Sequence, residues 1–120
     1  MTLTFRAEIE AAEDGTRAVV VAGELDQATL PELQRALDEV IDAGSGNVLI
    51  DLSDCSFIDS SGLAALVSSR ERMTGAGDAR GFAICCGSPQ VQRLLEITGL
   101  DKAMGVVTTR DEALEALRGA

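Results

Sequence analysis

The chain has 120 residues, with ten Lys and Arg against twenty Asp and Glu, no His, and a formal charge of −10 at neutral pH. Apolar residues make up 46% and charged residues 25%, which suits one folded domain over residues 1–120 and excludes a disordered polyelectrolyte. The missing imidazole removes Ser-His-Asp and Cys-His relays and HExxH zinc sites, and an acidic chain with three Phe and no Trp or Tyr lacks what nucleic-acid binding needs.

In chain order, Leu3, Phe5, Ala7 and Ile9 alternate with Thr4, Arg6, Glu8 and Glu10, the period of a strand wet on one face, expected at a sheet edge. The N-terminus has no charged segment followed by an apolar stretch, so a signal peptide is not expected. Glu13-Asp14-Gly15 is turn chemistry, so Arg17 to Gly23 is expected to return antiparallel as a hairpin. From there the strands become continuous apolar runs, Ala18 to Ala22, Val48 to Leu52 and Phe82 to Cys86, as in parallel strands covered on both faces.

A helix should begin after Thr29, with Pro31 in its first turn and Leu30, Leu33, Leu37, Val40 and Ile41 on its inner stripe, and stop at Gly44. Leu63, Leu66, Val67 and Met73 mark a second helix ending near Gly75. Val91, Leu94 and Leu95 mark a third, capped by Ser88, opened by Pro89 and stopped by Gly99. Val106-Val107 reads as a short last strand, and Asp111 to Leu117 as a closing helix with Ala113, Leu114 and Leu117 inward. The expected fold is α/β: an N-terminal β-hairpin, then right-handed βα units forming a mixed, mainly parallel sheet flanked by about four helices.

Several site types are excluded by spacing. The longest apolar runs, Ala18 to Ala22 and Leu63 to Val67, fall far short of the roughly 18 residues needed to cross a bilayer, so a cytoplasmic protein without membrane insertion is expected. Cys55, Cys85 and Cys86 match no metal pattern and read as buried thiols in preference to a redox switch. Gly44-Ser45-Gly46 and the segment Gly75 to Gly81 read as turns, not phosphate loops, and no cofactor or metal is expected.

Ligands of such sheets meet the loops at the carboxyl ends of the parallel strands, here Gly23-Glu24-Leu25-Asp26 after the second strand and Asp54 to Gly62 after the third. Phe57-Ile58-Asp59-Ser60-Ser61-Gly62-Leu63 is the most informative stretch. Asp59 or Ser60 can serve simply as the N-cap of the following helix. One cap suffices, however, and the surplus of hydroxyls beside Gly62, a residue that lets another chain approach closely, equally fits a modification site. Asp26 and Asp59 should lie near each other, but no third group accompanies them by spacing, so they read as turn carboxylates and no catalytic residue is assigned.

Taken together, Gly23-Glu24-Leu25-Asp26, then Asp51-Leu52-Ser53 through Asp59-Ser60-Ser61-Gly62-Leu63, then Ser88-Pro89 with Val91, Arg93 and Leu94, resemble the anti-sigma factor antagonists of the STAS domain family. The resemblance implies a bacterial, non-enzymatic regulator of transcription that works by partner switching. Its unphosphorylated form binds an anti-sigma factor that is itself a serine kinase, and so frees a sigma factor. Ser60 is then the phosphate acceptor, with Ser61 the second choice, and a serine phosphatase resets it. Gly23, Glu24, Asp26, Asp59, Ser61, Gly62 and Leu63 surround that site, with Gly62 permitting close packing of the loop. The alternative within the family is an interaction subunit of a transport assembly whose Ser60 is never modified. The charge of −10 suits a basic partner surface, or simply solubility.

Overall fold

The computed structural model describes residues 5–75 and 80–118. Strand β1 (Arg6–Ala11) turns through a 3-10 turn at Glu13–Gly15 into β2 (Arg17–Leu25). There follow α1 (Leu30–Asp42), β3 (Val48–Ile58), α2 (Ser60–Gly75), β4 (Phe82–Cys85), α3 (Pro89–Thr98), α4 (Leu100–Ala103) and α5 (Arg110–Arg118). The strands form one sheet in the order β1-β2-β3-β4, with β1 antiparallel to β2 and the remaining pairs parallel. The hairpin reversal uses two residues in left-handed conformation, Asp14 at φ 57° and Gly15 at φ 76°, where a short polar side chain and a glycine are tolerated. As expected, β1 is an edge strand, and the charges of Arg6, Glu8 and Glu10 line one of its faces.

The first face of the sheet carries Val19, Val21, Leu25, Ile50, Leu52, Ile58 and Ile84. Leu33, Leu37 and Val40 of α1, Leu66 and Met73 of α2, and Val91 and Leu95 of α3 close over it. Each such fully buried aliphatic chain contributes about 1.5–3 kcal/mol, so this layer dominates stability. Among the described residues, the second face is covered only at one end, where Ala113 and Leu117 of α5 pack on Ala18, Leu49, Ala83 and Cys85. Arg110 ties that helix to the sheet, bonding Glu10 of β1 at 3.1 Å and lying 3.6 Å from the buried Asp51 of β3.

The structure corrects several sequence expectations. Strands β2 and β3 run on to Leu25 and Ile58, so Gly23-Glu24-Leu25 and Asp54 to Ile58 lie within strands and not in the loops after them. Beyond α5 the second face is open among the described residues, so polar Glu24, Ser53 and Asp54 stand there beside Val20, Ala22 and Phe57, and the continuous apolar pattern stops while the backbone ladder continues. Val106-Val107 is not a strand: Val107 makes a single parallel bridge to Cys85. The four-residue α4 was not anticipated, which brings the α-helices among the described residues to five. Ser88 occupies the N-cap position of α3 in extended conformation, yet its side chain makes no capping bond. The expectations at Leu3 and Thr4, and at residues 76–79 of the Gly75 to Gly81 turn, lie outside the described residues.

Candidate functional site: the junction of β3 and α2

Strand β3 ends at Ile58, and the Asp59 N–H donates to the Leu25 carbonyl at 3.1 Å, which ties the ends of β2 and β3 together. The Leu63 N–H donates to the Asp59 carbonyl at 3.0 Å, the first turn of α2. Asp59 Oδ1 accepts from the Gly62 N–H at 3.1 Å and from the Ser61 hydroxyl at 2.6 Å. Asp59 is therefore the N-cap, and Ser60 the first helical residue. The Ser61 bond, and after it the Gly62 N–H, hold the Asp59 carboxyl below its ordinary value of 3.8, so it is an anion at neutral pH.

The two serines are thereby separated by their surroundings. The Ser61 hydroxyl is engaged on Asp59, and the residue is half-buried. Ser60 is exposed, and its hydroxyl makes no hydrogen bond to a described residue. A free hydroxyl on the first turn stands where the unpaired N–H groups and the dipole of a sixteen-residue helix favour an added anion.

Asp26 performs the matching task at α1. Its Oδ1 accepts from the N–H groups of Ala28 at 3.0 Å and Thr29 at 3.1 Å, while its own N–H donates to Thr29 Oγ1 at 3.0 Å. Thr29 Oγ1 in turn donates to the Glu24 carbonyl at 2.9 Å. The structure thus brings the two carboxylate turns to neighbouring strand ends, and the Gln27 N–H adds a small contribution to holding Asp59 ionised. Each carboxylate has one oxygen engaged by backbone N–H groups, the work of a cap and not of an acid-base pair.

A Cβ on Gly62 would lie 2.8 Å from Ile58 Cγ1 and 2.8 Å from Leu25 Cγ, so the glycine permits the close packing of α2 on the strand ends beneath it, as the resemblance implied. Gly23 is buried at φ 96°, beside the irregularity where β3 carries an extra residue between the pairs Gly23↔Cys55 and Glu24↔Phe57. Leu63 is half-buried against the core and Glu24 is exposed. Phe57, which the sequence reading passed over, is 48% exposed. The available signal was its position directly before the inward Ile58, because adjacent strand residues face opposite ways.

The three cysteines are buried and free. Burial, and after it the negative charge of Asp51, pushes the Cys85 thiol up to about 12. Burial likewise raises Cys55 and Cys86, so reactive thiolate is scarce at all three. Among the described residues no helix is long and apolar enough to cross a membrane.

A hairpin-led, mainly parallel sheet with helices on both faces, whose carboxyl edge presents a capped helix start, defines a single α/β domain. The sequence model of the STAS domain matches residues 8–113, and the chain belongs to that family. It is 29% identical over 106 residues to the anti-sigma-F factor antagonist RsfB of Mycobacterium tuberculosis, covering 88% of this chain and 84% of that protein. It is 33% identical over 94 residues to the anti-sigma-B factor antagonist of Staphylococcus aureus, covering 78% and 85%. The crystal structure of an anti-sigma factor antagonist from Mycobacterium paratuberculosis superposes with a TM-score of 0.88 at 32% identity, over 98% of this chain and 99% of that one.

Proposed function

We propose that residues 1–120 work as one STAS domain, a non-enzymatic anti-sigma factor antagonist of the bacterial cytoplasm gated by phosphorylation of Ser60. In its unmodified form it binds an anti-sigma factor with serine kinase activity and so frees a sigma factor; a serine phosphatase restores it after modification. The observation that carries this reading is the exposed, unbonded Ser60 hydroxyl on the first turn of α2, beside a Ser61 already committed to Asp59. The names of the relatives support the same role.

The switch follows from charge and hydration. A phosphate adds about −1.5 to −2 charge and three strongly hydrated oxygens at Ser60. The helix start can host that anion while it faces water, but the ionised Asp59 is one residue away. Pressing the phosphate into an interface strips its water and crowds it against that carboxylate, so docking is lost while the fold stays in place.

The test immobilises the wild-type chain and its Ser60→Asp variant, exposes both to extract of the native cells, and identifies captured proteins by mass spectrometry. The captured kinase is then incubated with ATP and the wild type, Ser60→Ala or Ser61→Ala. Capture of an anti-sigma factor by wild type and weakly by Ser60→Asp, with phosphate on Ser60 and retained in Ser61→Ala, is the expected result. Equal capture by both, phosphate on Ser61, or capture of a transporter subunit instead overturns it.

A further inference from the structure

We infer that the open half of the sheet's second face, anchored by Phe57, seats the anti-sigma factor through an apolar pocket rimmed by Arg or Lys side chains on that partner; this deepens, and rests on, the function proposed above. Three observations carry it. Helix α5 covers the second face only over Ala18, Leu49, Ala83 and Cys85. Beyond it, half-exposed Val20 and Ala22 form the floor of a depression of about 220 Å³, walled by Arg6, Glu8, Glu10 and Asp54.

The register then fixes where Phe57 points. Leu25 pairs with Ile58 and both enter the main core, so the preceding pair, Glu24 and Phe57, faces the opposite way, onto the open face. Phe57 keeps 48% of its surface in contact with water, whereas Phe5 keeps 8%. A large ring left half-solvated three residues ahead of Ser60 has the character of an interface anchor, since binding energy concentrates in aromatic side chains that fill partner pockets.

The charges select the partner. Glu8, Glu10, Glu24 and Asp54 are exposed around this surface, and they outnumber the cations set against them among the described residues, Arg6 at 3.6 Å from Glu8 and Arg110 at 3.1 Å from Glu10. An acidic rim around an aromatic ring complements a basic rim around an apolar pocket. It disfavours a second copy of this chain, which would set like charge against like on a molecule of charge −10.

The experiment titrates the purified anti-sigma factor with wild type, Phe57→Ala, Phe57→Leu, Glu24→Gln/Asp54→Asn and Ser60→Asp chains at low and high salt, recording association and dissociation rates. Phe57→Ala is expected to weaken binding roughly 30-fold or more, mainly through faster dissociation, with its salt dependence and its unfolding midpoint unchanged. Phe57→Leu should recover part of the loss, and Glu24→Gln/Asp54→Asn should slow association and flatten its salt dependence. Binding of Phe57→Ala within about twofold of wild type, with Ser60→Asp still impaired, overturns the anchor and leaves the proposed function standing. Failure of wild type to bind any anti-sigma factor overturns both. A dimer of the chain that dissolves in Phe57→Ala assigns the face to a second copy and likewise overturns the inference.

Discussion

Replacing Gly62 with Ala places a methyl group 2.8 Å from Ile58 Cγ1, 2.8 Å from Leu25 Cγ and 2.9 Å from Leu25 Cδ2, where ordinary carbon contacts begin near 3.5 Å. Neither neighbour has room to retreat: Leu25 is 0% and Ile58 2% exposed. Helix α2 must therefore lift from the strand ends. Overpacking of this kind costs about 1–3 kcal/mol, against which replacing a helical glycine by alanine returns up to roughly 1 kcal/mol. The net expectation is a loss of about 1–2 kcal/mol, or a Tm lowered by roughly 4–8 °C for a domain of this size. Urea and thermal unfolding followed by circular dichroism measure it. Gly87→Ala is the control, because its Cβ would sit 3.6 Å from the Thr108 carbonyl oxygen, an ordinary contact. Trimming the obstacle should relieve the clash, so Leu25→Val combined with Gly62→Ala is expected to cost at least about 0.5 kcal/mol less than the sum of the two single changes. A Gly62→Ala chain as stable as wild type, or additive behaviour in that pair, would refute the packing argument.

The folded-state pKa of Asp59 lies below 3.8, so its ionised cap contributes fully above that pH and is lost as the pH falls further; wild type should lose stability faster than Asp59→Asn between about pH 5 and pH 3, which denaturant titrations at stepped pH will measure. Arg110→Met leaves Asp51, whose side chain is 11% exposed, without its guanidinium neighbour, and should cost about 1–3 kcal/mol in urea unfolding, with part recovered when Asp51→Asn is added. Because Cys85 is raised to about 12, the protonated thiol favours the fold and stability should decline as the pH climbs from 9 toward that value. At milder pH a neutral thiol reagent should find Cys55, Cys85 and Cys86 silent in the native chain and all three reactive in urea; rapid labelling of the native chain would contradict the burial described here.

Where the chain obeys one local rule, its sequence shows the fold plainly. The alternation through Phe5, Ala7 and Ile9, the stripe from Leu33 to Ile41, and the stops near Gly44 and Gly99 all match elements of the structure. The ends of β2 and β3 were hidden because a continuous apolar run marks a strand only while both faces are covered. At Glu24, Ser53 and Asp54 one face is open among the described residues, so the polar residues that suggested a loop are the outward residues of a strand. At the candidate site, composition placed the cap and the hydroxyls together at α2, but nothing local separates Ser60 from Ser61. That distinction needs the 2.6 Å bond to Asp59. Likewise the role of Gly62 depends on Leu25, distant in sequence and brought beneath it only by the parallel pairing of β2 with β3.

The unequal covering of the two sheet faces sets the order in which the interior opens. Helix α5 is held by a small cluster in which alanines and a thiol meet one leucine from the sheet and one from the helix, whereas α1, α2 and α3 share the large aliphatic layer on the other side. Detaching α5 exposes little apolar area and breaks no strand pairing in the sheet, so it costs less than parting α1, α2 or α3 from the large layer. Cys85 lies under that helix, while Cys55 and Cys86 belong to the opposite layer. Adjacent in sequence, Cys85 and Cys86 therefore report different events: the first becomes accessible when α5 opens, the second only when the domain itself does.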